Sequence, residues 1–150
     1  MILREEKRDL FSVDDNEYYL VQCISADFAM AAGIAVQFND KYNLKNLLKD
    51  KFNDYIYNTY PETRVILCNN KVFNLITKLN HYEKPTYKSL EKCLYEMKKM
   101  LLNPEYGINK NKIAMPRIGC GLDRLKWDKV KMIIEKVFQD TNVEILVCNI

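Results

Sequence analysis

Short apolar runs alternate along this chain with stretches whose apolar residues return every three or four positions. The runs predict strands and the returns predict helices. Tyr18–Ile24, Y-Y-L-V-Q-C-I, is bounded by polar turns and reads as a central strand. Ile2–Arg8 reads as a first strand that ends at Asp9. Arg64–Cys68 and Val72–Thr77 form a further pair, separated by Asn69-Asn70-Lys71. Asparagine tolerates left-handed backbone, so that connection predicts a hairpin. Ile113–Ile118 and Val143–Val147 complete the strands. Among the helices, Ala29–Phe38 grows out of a small-residue stretch, and Asn43–Phe52 repeats Leu44, Leu47, Leu48 and Phe52 at helical spacing. Pro85 presets the start of Thr86–Leu101, with Thr86 as the cap and Tyr87, Leu90, Leu94, Met97 and Leu101 along one face. A last helix carries Val130, Ile133, Ile134, Val137 and Phe138 on one side. Strands and helices alternate through the second half around a hairpin. The pattern predicts an α/β fold: one domain over residues 1–150, a three-layer α/β/α sandwich with a central mixed sheet.

Composition narrows the class. Apolar residues make up 48% of 150, enough to build a core without metals or disulfides. A net charge of +3, spread along the chain, offers no clustered basic face for duplex nucleic acid. The K-K and K-D-K runs read as solvated helix faces. The five cysteines are odd in number, widely spaced and without a C-x-x-C pair, so free thiols in a reducing cytosol are expected. No signal-like opening and no apolar run of membrane length is seen. The expectation is a cytoplasmic protein with no membrane partner, a monomer, and no metal site, since one histidine and scattered thiols make no recognisable ligand set.

The most informative stretch is Ile113–Trp127, I-A-M-P-R-I-G-C-G-L-D-R-L-K-W. It predicts a buried strand, a turn with two glycines and a helix. Gly119 and Gly121 lack a Cβ, so backbone N–H groups can close on an oxyanion there, with the following helix adding a favourable field. Asp123 puts a carboxylate inside that cradle. Ligands in such sheets lie beyond the carboxyl ends of the strands. The loops Ser25–Ala35, Lys78–Pro85 and Gly119–Leu125 all fall there. If they converge, they make one cleft for a dinucleotide-like ligand, with a lysine and an aspartate at one end.

Several segments, in this order, resemble a macro domain, the ADP-ribose-binding fold, and more narrowly the terminal ADP-ribose protein glycohydrolase branch. They are K-R-D-L-F (Lys7–Phe11), C-I-S-A-D-F-A-M-A-A-G-I-A-V-Q-F (Cys23–Phe38), L-I-T-K (Leu75–Lys78), K-P-T-Y (Lys84–Tyr87) and M-P-R-I-G-C-G-L-D-R-L-K-W (Met115–Trp127). Ala31 departs from the branch, which usually has glycine there, and its methyl group would narrow the loop. The resemblance implies that Asp9 accepts a hydrogen bond from the adenine amino group, with Leu10 beside it. It implies that Ser25 and the loop holding Met30, Gly33, Ile34 and Ala35 line the diphosphate and distal ribose. Thr77, Pro116 and Ile118 would join the binding set, and Gly119, Cys120, Gly121 and Leu122 would wrap the phosphates. Lys78 matches the branch's nucleophile and Asp123 its acid.

The implied activity is hydrolysis of terminal ADP-ribose from acidic side chains, and also deacylation of O-acyl-ADP-ribose, with no cofactor. ADP-ribose and ADP-ribosylated protein are the implied partners, with ADP-ribosylated nucleobases as an alternative substrate. A reader that binds ADP-ribose without turnover is the other class; it needs the cradle but neither Lys78 nor Asp123. A nucleophilic amine must be neutral, yet a free lysine titrates near about 10.4. Burial would lower that value and a close carboxylate would raise it. Each residue also has a plainer reading: Lys78 as a solvated strand end, Asp123 as the cap of the last helix, Asp9 as a strand end, His81 as a surface residue of L-N-H-Y-E, and Cys120 as backbone spacing.

Overall fold

The computed structural model describes residues 1–150. Its strands are β1 (Ile2–Lys7), β2 (Tyr19–Ser25), β3 (Val65–Cys68), β4 (Val72–Lys78), β5 (Lys112–Met115) and β6 (Glu144–Asn149). They form one sheet in the order β1-β6-β5-β2-β4-β3. Every neighbouring pair is parallel except β3 with β4, which are antiparallel. Asn69 and Asn70 take left-handed backbone (φ 55° and 53°) and close the predicted hairpin. The helices are α1 (Ile34–Tyr42), α2 (Leu44–Phe52), α3 (Tyr55–Thr59), α4 (Tyr87–Leu102) and α5 (Trp127–Phe138). No helix is long and apolar enough to cross a membrane.

The sheet is covered on both faces, which makes the three-layer α/β/α sandwich that the pattern predicts. Alternation along β2 sorts its side chains: Leu20 and Ile24 pack with Phe38, Leu44, Leu48 and Ile56 of α1–α3. Tyr19 and Val21 pack with Leu90, Leu94, Met97, Val130 and Ile134 of α4 and α5. A strand buried on both faces has no polar side, which is why Tyr18–Ile24 reads as a continuous apolar run. Thr86 caps α4 in a reciprocal box with Ser89.

Two boundaries move for identifiable reasons. The helix expected over Ala29–Phe38 begins at Ile34 and runs on to Tyr42, because Phe28, Met30 and Gly33 all hold positive φ (54°, 42° and 62°). Residues 29–33 are therefore a strained loop and not a helical turn. The strand expected over Ile113–Ile118 stops at Met115, since Pro116 has no N–H to continue the ladder. The short helix α3 carries too few apolar repeats to show in the sequence.

Two amides sit fully buried in the sheet. Gln22 and Asn74 face each other across the β2–β4 register. Gln22 Nε2 donates to Asn74 Oδ1 at 2.9 Å, and Asn74 Nδ2 donates to the Ile66 carbonyl at 3.0 Å. A register slip would separate them and strand each at about 1–3 kcal/mol. Asn74→Leu is therefore expected to lower the urea unfolding free energy by about 1–3 kcal/mol, while Gln22→Met with Asn74→Leu costs less than that single change. Additive losses in the double variant would remove the amide pair as a register determinant.

Candidate active site

β5, β2 and β4 are adjacent and parallel, so their carboxyl ends open on one edge of the sheet. The loops that follow them, residues 26–33, 79–86 and 116–126, meet there around a cleft of about 610 Å³. That volume suits a small organic ligand. The chain leaves β2 toward one face of the sheet and leaves β4 and β5 toward the other, a switch of direction that leaves a crevice open.

Lys78 ends β4 and Asp123 lies 45 residues further on, in the β5–α5 loop; Lys78 Nζ donates to Asp123 Oδ1 at 2.8 Å. Both side chains are largely buried, at 14% and 19% exposure. A bulge between Ile24 and Ser25 shifts the ladder so that Ser25 stands opposite Lys78. The floor of the cleft thus gathers a hydroxyl, an amine and a carboxylate.

Of the sequence-selected residues, Ser25, Met30, Gly33, Ile34, Ala35, Lys78, Pro116, Ile118, Gly119, Gly121, Leu122 and Asp123 line this cleft. The structure does not bring Asp9, Leu10, Thr77 or Cys120 to its wall. Asp9 is exposed and accepts from the Phe11 N–H at 3.0 Å, capping a single 3-10 turn after β1. Leu10 is buried in the core, and Thr77 is buried with its hydroxyl unpartnered. Cys120 turns its Sγ to the Ile118 carbonyl at 3.3 Å, and burial pushes its thiol up to about 11, against any nucleophilic use. No group of three or more His, Cys, Asp or Glu side chains comes together as a metal site.

The cradle also differs in detail from the expectation. Gly119 does adopt positive φ (73°), and a Cβ there would lie 2.9 Å from Leu125 Cδ1. Gly121 faces open space and is not sterically required. The helix whose start borders the cleft is α1 and not α5. Gly33, Ile34 and Ala35 line the cleft, and α1 has no side-chain cap. Its first N–H groups are thus available to an anion. Asp123 does not cap α5; that position belongs to Lys126. Ala31 keeps negative φ in an exposed part of the loop, so its methyl group meets no backbone restriction.

Asp27, which no sequence motif singled out, is the hub of the cleft wall. Its Oδ1 accepts from Ser25 Oγ at 2.5 Å and from the Ala29 N–H at 3.1 Å. Its Oδ2 accepts from the His81 N–H at 2.9 Å and lies 2.8 Å from His81 Nδ1. Partial burial pushes this carboxyl up, but the bonds from Ser25, His81 and Ala29 outweigh burial and bring it down to about 2. The one available signal was an aspartate two residues before a predicted helix start, a common turn former. Across the cleft, Lys84 Nζ donates to the Leu122 carbonyl at 2.8 Å and laces the β4–α4 loop to the β5–α5 loop.

This geometry can be set beside known proteins. No family model matches the chain. It is 41% identical over 143 residues to ADP-ribose glycohydrolase OARD1 of Bos taurus, spanning 94% of this chain and 87% of that one. The Homo sapiens protein of the same name is 39% identical over 143 residues, with the same coverage. The chain belongs to the macrodomain family of ADP-ribose glycohydrolases. Solved structures agree on the fold: the macrodomain of Thermus aquaticus DarG superposes with a TM-score of 0.77 at 20% identity, covering 99% of each chain. Thermosipho africanus DarTG in complex with ADP-ribose gives 0.73 at 16% identity, over 99% of this chain and 42% of that one.

In this macrodomain, two substitutions separate geometry from composition. Gly119→Ala is expected to cost about 1–3 kcal/mol in chemical unfolding, from left-handed strain plus the Leu125 contact, whereas Gly121→Ala stays within about 0.5 kcal/mol. Asp27 makes a second test. A depressed carboxyl stabilises the fold above its ordinary value of 3.8, and that contribution is lost as pH falls toward about 2. Asp27→Asn is expected to cost about 1–2 kcal/mol near neutral pH and progressively less as the solution is acidified through that window.

Proposed function

We propose that this macrodomain releases ADP-ribose from modified glutamate and aspartate side chains and deacylates O-acyl-ADP-ribose, with Lys78 as nucleophile and Asp123 as acid and base. The reading is carried by the 2.8 Å contact between Lys78 Nζ and Asp123 Oδ1 in a half-enclosed cleft. Family membership supports the hydrolase class, and a binding module would need neither side chain.

The chemistry follows from what each group can hold. An amine attacks only when neutral. Asp123 Oδ1 already receives a hydrogen bond from Lys78 Nζ and is placed to take its proton. The lysine nitrogen then bonds to the anomeric carbon of the distal ribose as the carboxylate leaves. Water attacks the resulting adduct, Asp123 returns the proton to the amine, and ADP-ribose departs. Two modest barriers replace one large one. The uncapped start of α1 and the left-handed turn at Gly119 would hold the diphosphate while this happens.

Replacing Lys78 with Ala is expected to abolish release from a glutamate-linked substrate and to leave ADP-ribose affinity within about tenfold, as calorimetry would read. Asp123→Ala is expected to slow turnover and to lengthen the life of a protein–sugar adduct visible by intact mass. Substrates linked through glutamate, serine, arginine and nucleobases, with O-acetyl-ADP-ribose, rank the specificity in the same assay. Full turnover by the Lys78 variant would overturn the mechanism, and binding without turnover by the wild type would make this chain a reader.

A further inference from the structure

His81 is the one histidine of this chain, and it lies in the wall of the cleft with Lys78 and Asp123. Its side chain is 60% exposed, yet it is held at two points: its own N–H and its Nδ1 both meet Asp27 Oδ2. Tyr82 packs edge-on against the ring, with centroids 5.4 Å apart. The Asp27 carboxyl is ionised and can only accept, so Nδ1 must carry a hydrogen. One ring hydrogen is thereby fixed on Nδ1, so Nε2 carries a hydrogen only in the imidazolium. Nε2 makes no hydrogen bond within the protein and is the nitrogen free to exchange a proton with whatever enters the cleft. The same Asp27 carboxylate accepts from Ser25 Oγ, so the imidazole is fixed relative to the end of β2.

We propose that His81, positioned by Asp27, is the proton donor to the leaving group of the reaction carried by Lys78, and that it extends the substrate range beyond carboxylates to more basic leaving atoms. The inference rests on the hydrolase reading above. A carboxylate departs without help, whereas an alkoxide does not, and a donor is needed where the bond breaks. Histidine is the side chain that exchanges a proton between about pH 5 and 8. The step balances as follows. The nitrogen of Lys78 forms its bond to the anomeric carbon and gives a proton to Asp123. The bond from that carbon to the leaving oxygen breaks, its electron pair stays on the oxygen, and the oxygen takes the Nε2 proton of the His81 imidazolium, which leaves a neutral ring whose remaining hydrogen stays on Nδ1 against Asp27. Water then releases the sugar from Lys78, the amine regains its proton from Asp123, and the exposed imidazole regains one from solvent. The charged groups around His81 are Asp27 on the β2–α1 loop, Glu83 and Lys84 on its own loop, and Lys78 with Asp123 across the cleft.

The test is a series of ADP-ribose conjugates joined at the distal anomeric carbon to acetate, to phenols of graded acidity and to an aliphatic alcohol, turned over by the wild type, His81→Gln and His81→Ala. The loss in kcat on replacing His81 is expected to grow with leaving-group basicity, from about threefold on the acetyl ester to about a hundredfold on the alcohol. Added imidazole is expected to restore His81→Ala on the basic members only. On these members the wild-type kcat falls as pH rises, and the variants lack that limb. A loss uniform across the series, no loss at all, or a wild type that handles the ester but not the alcohol would overturn the donor role and leave the Lys78 mechanism standing. A wild type inactive even on the ester would overturn the hydrolase reading, and this inference with it.

Discussion

The parallel clamping of β2 between β5 and β4 is the constraint on which the rest of this molecule depends. Parallel neighbours point their carboxyl ends the same way, so three connections separated widely in sequence have to begin at one edge. Nothing local to Ser25, Lys78 or Asp123 could bring them together. The clamp is itself held by burial on both faces and by the Gln22–Asn74 amide pair. The apolar layers make association favourable, and the amides restrict it to one alignment, because separating them would strand polar groups in the interior. The β2–β4 register then shifts at Ile24/Ser25, which sets Ser25 opposite Lys78.

Gathering the loops does not by itself make them rigid. Each is tied to a neighbour by a charge-assisted hydrogen bond: Asp27 to His81, Lys78 to Asp123, and Lys84 to the Leu122 carbonyl. Such bonds are stronger where solvent is partly excluded. Asp27 has a further task. Its Oδ1 accepts from Ala29 between two residues, Phe28 and Met30, that hold unfavourable positive φ. Strain of this kind persists only where the surroundings over-determine it. Here it turns the chain so that α1 starts late, at Ile34, with its uncapped end at the cleft.

The sequence was legible where one residue's environment decides its type. Runs buried on both faces read as strands, helical repeats read as helices, and Asn69-Asn70 read as a hairpin turn because asparagine tolerates the backbone that the turn requires. The motif Met115–Trp127 disclosed a cradle and a carboxylate, and the lysine after L-I-T-K was visible as its partner. It misled where the outcome turned on neighbours distant in the chain. Ala29, Ala31 and Ala32 have good helix propensity, yet residues 29–33 form a loop and the helix starts only at Ile34. Gly121 looked as necessary as Gly119, but only Gly119 meets a side chain, that of Leu125.

Asp27 and His81 show the division most plainly. They stand 54 residues apart, and each read alone as a turn former and a surface residue. Hydrophobic periodicity and turn chemistry were properties of the linear chain, since they depend on which side chains tolerate burial or positive φ at each position. Those determined the layers, the strands and the class of ligand site. Which carboxylate meets which amine or imidazole was decided by the tertiary structure alone, because a hydrogen bond depends on separations of about 3 Å that only the assembled sheet defines.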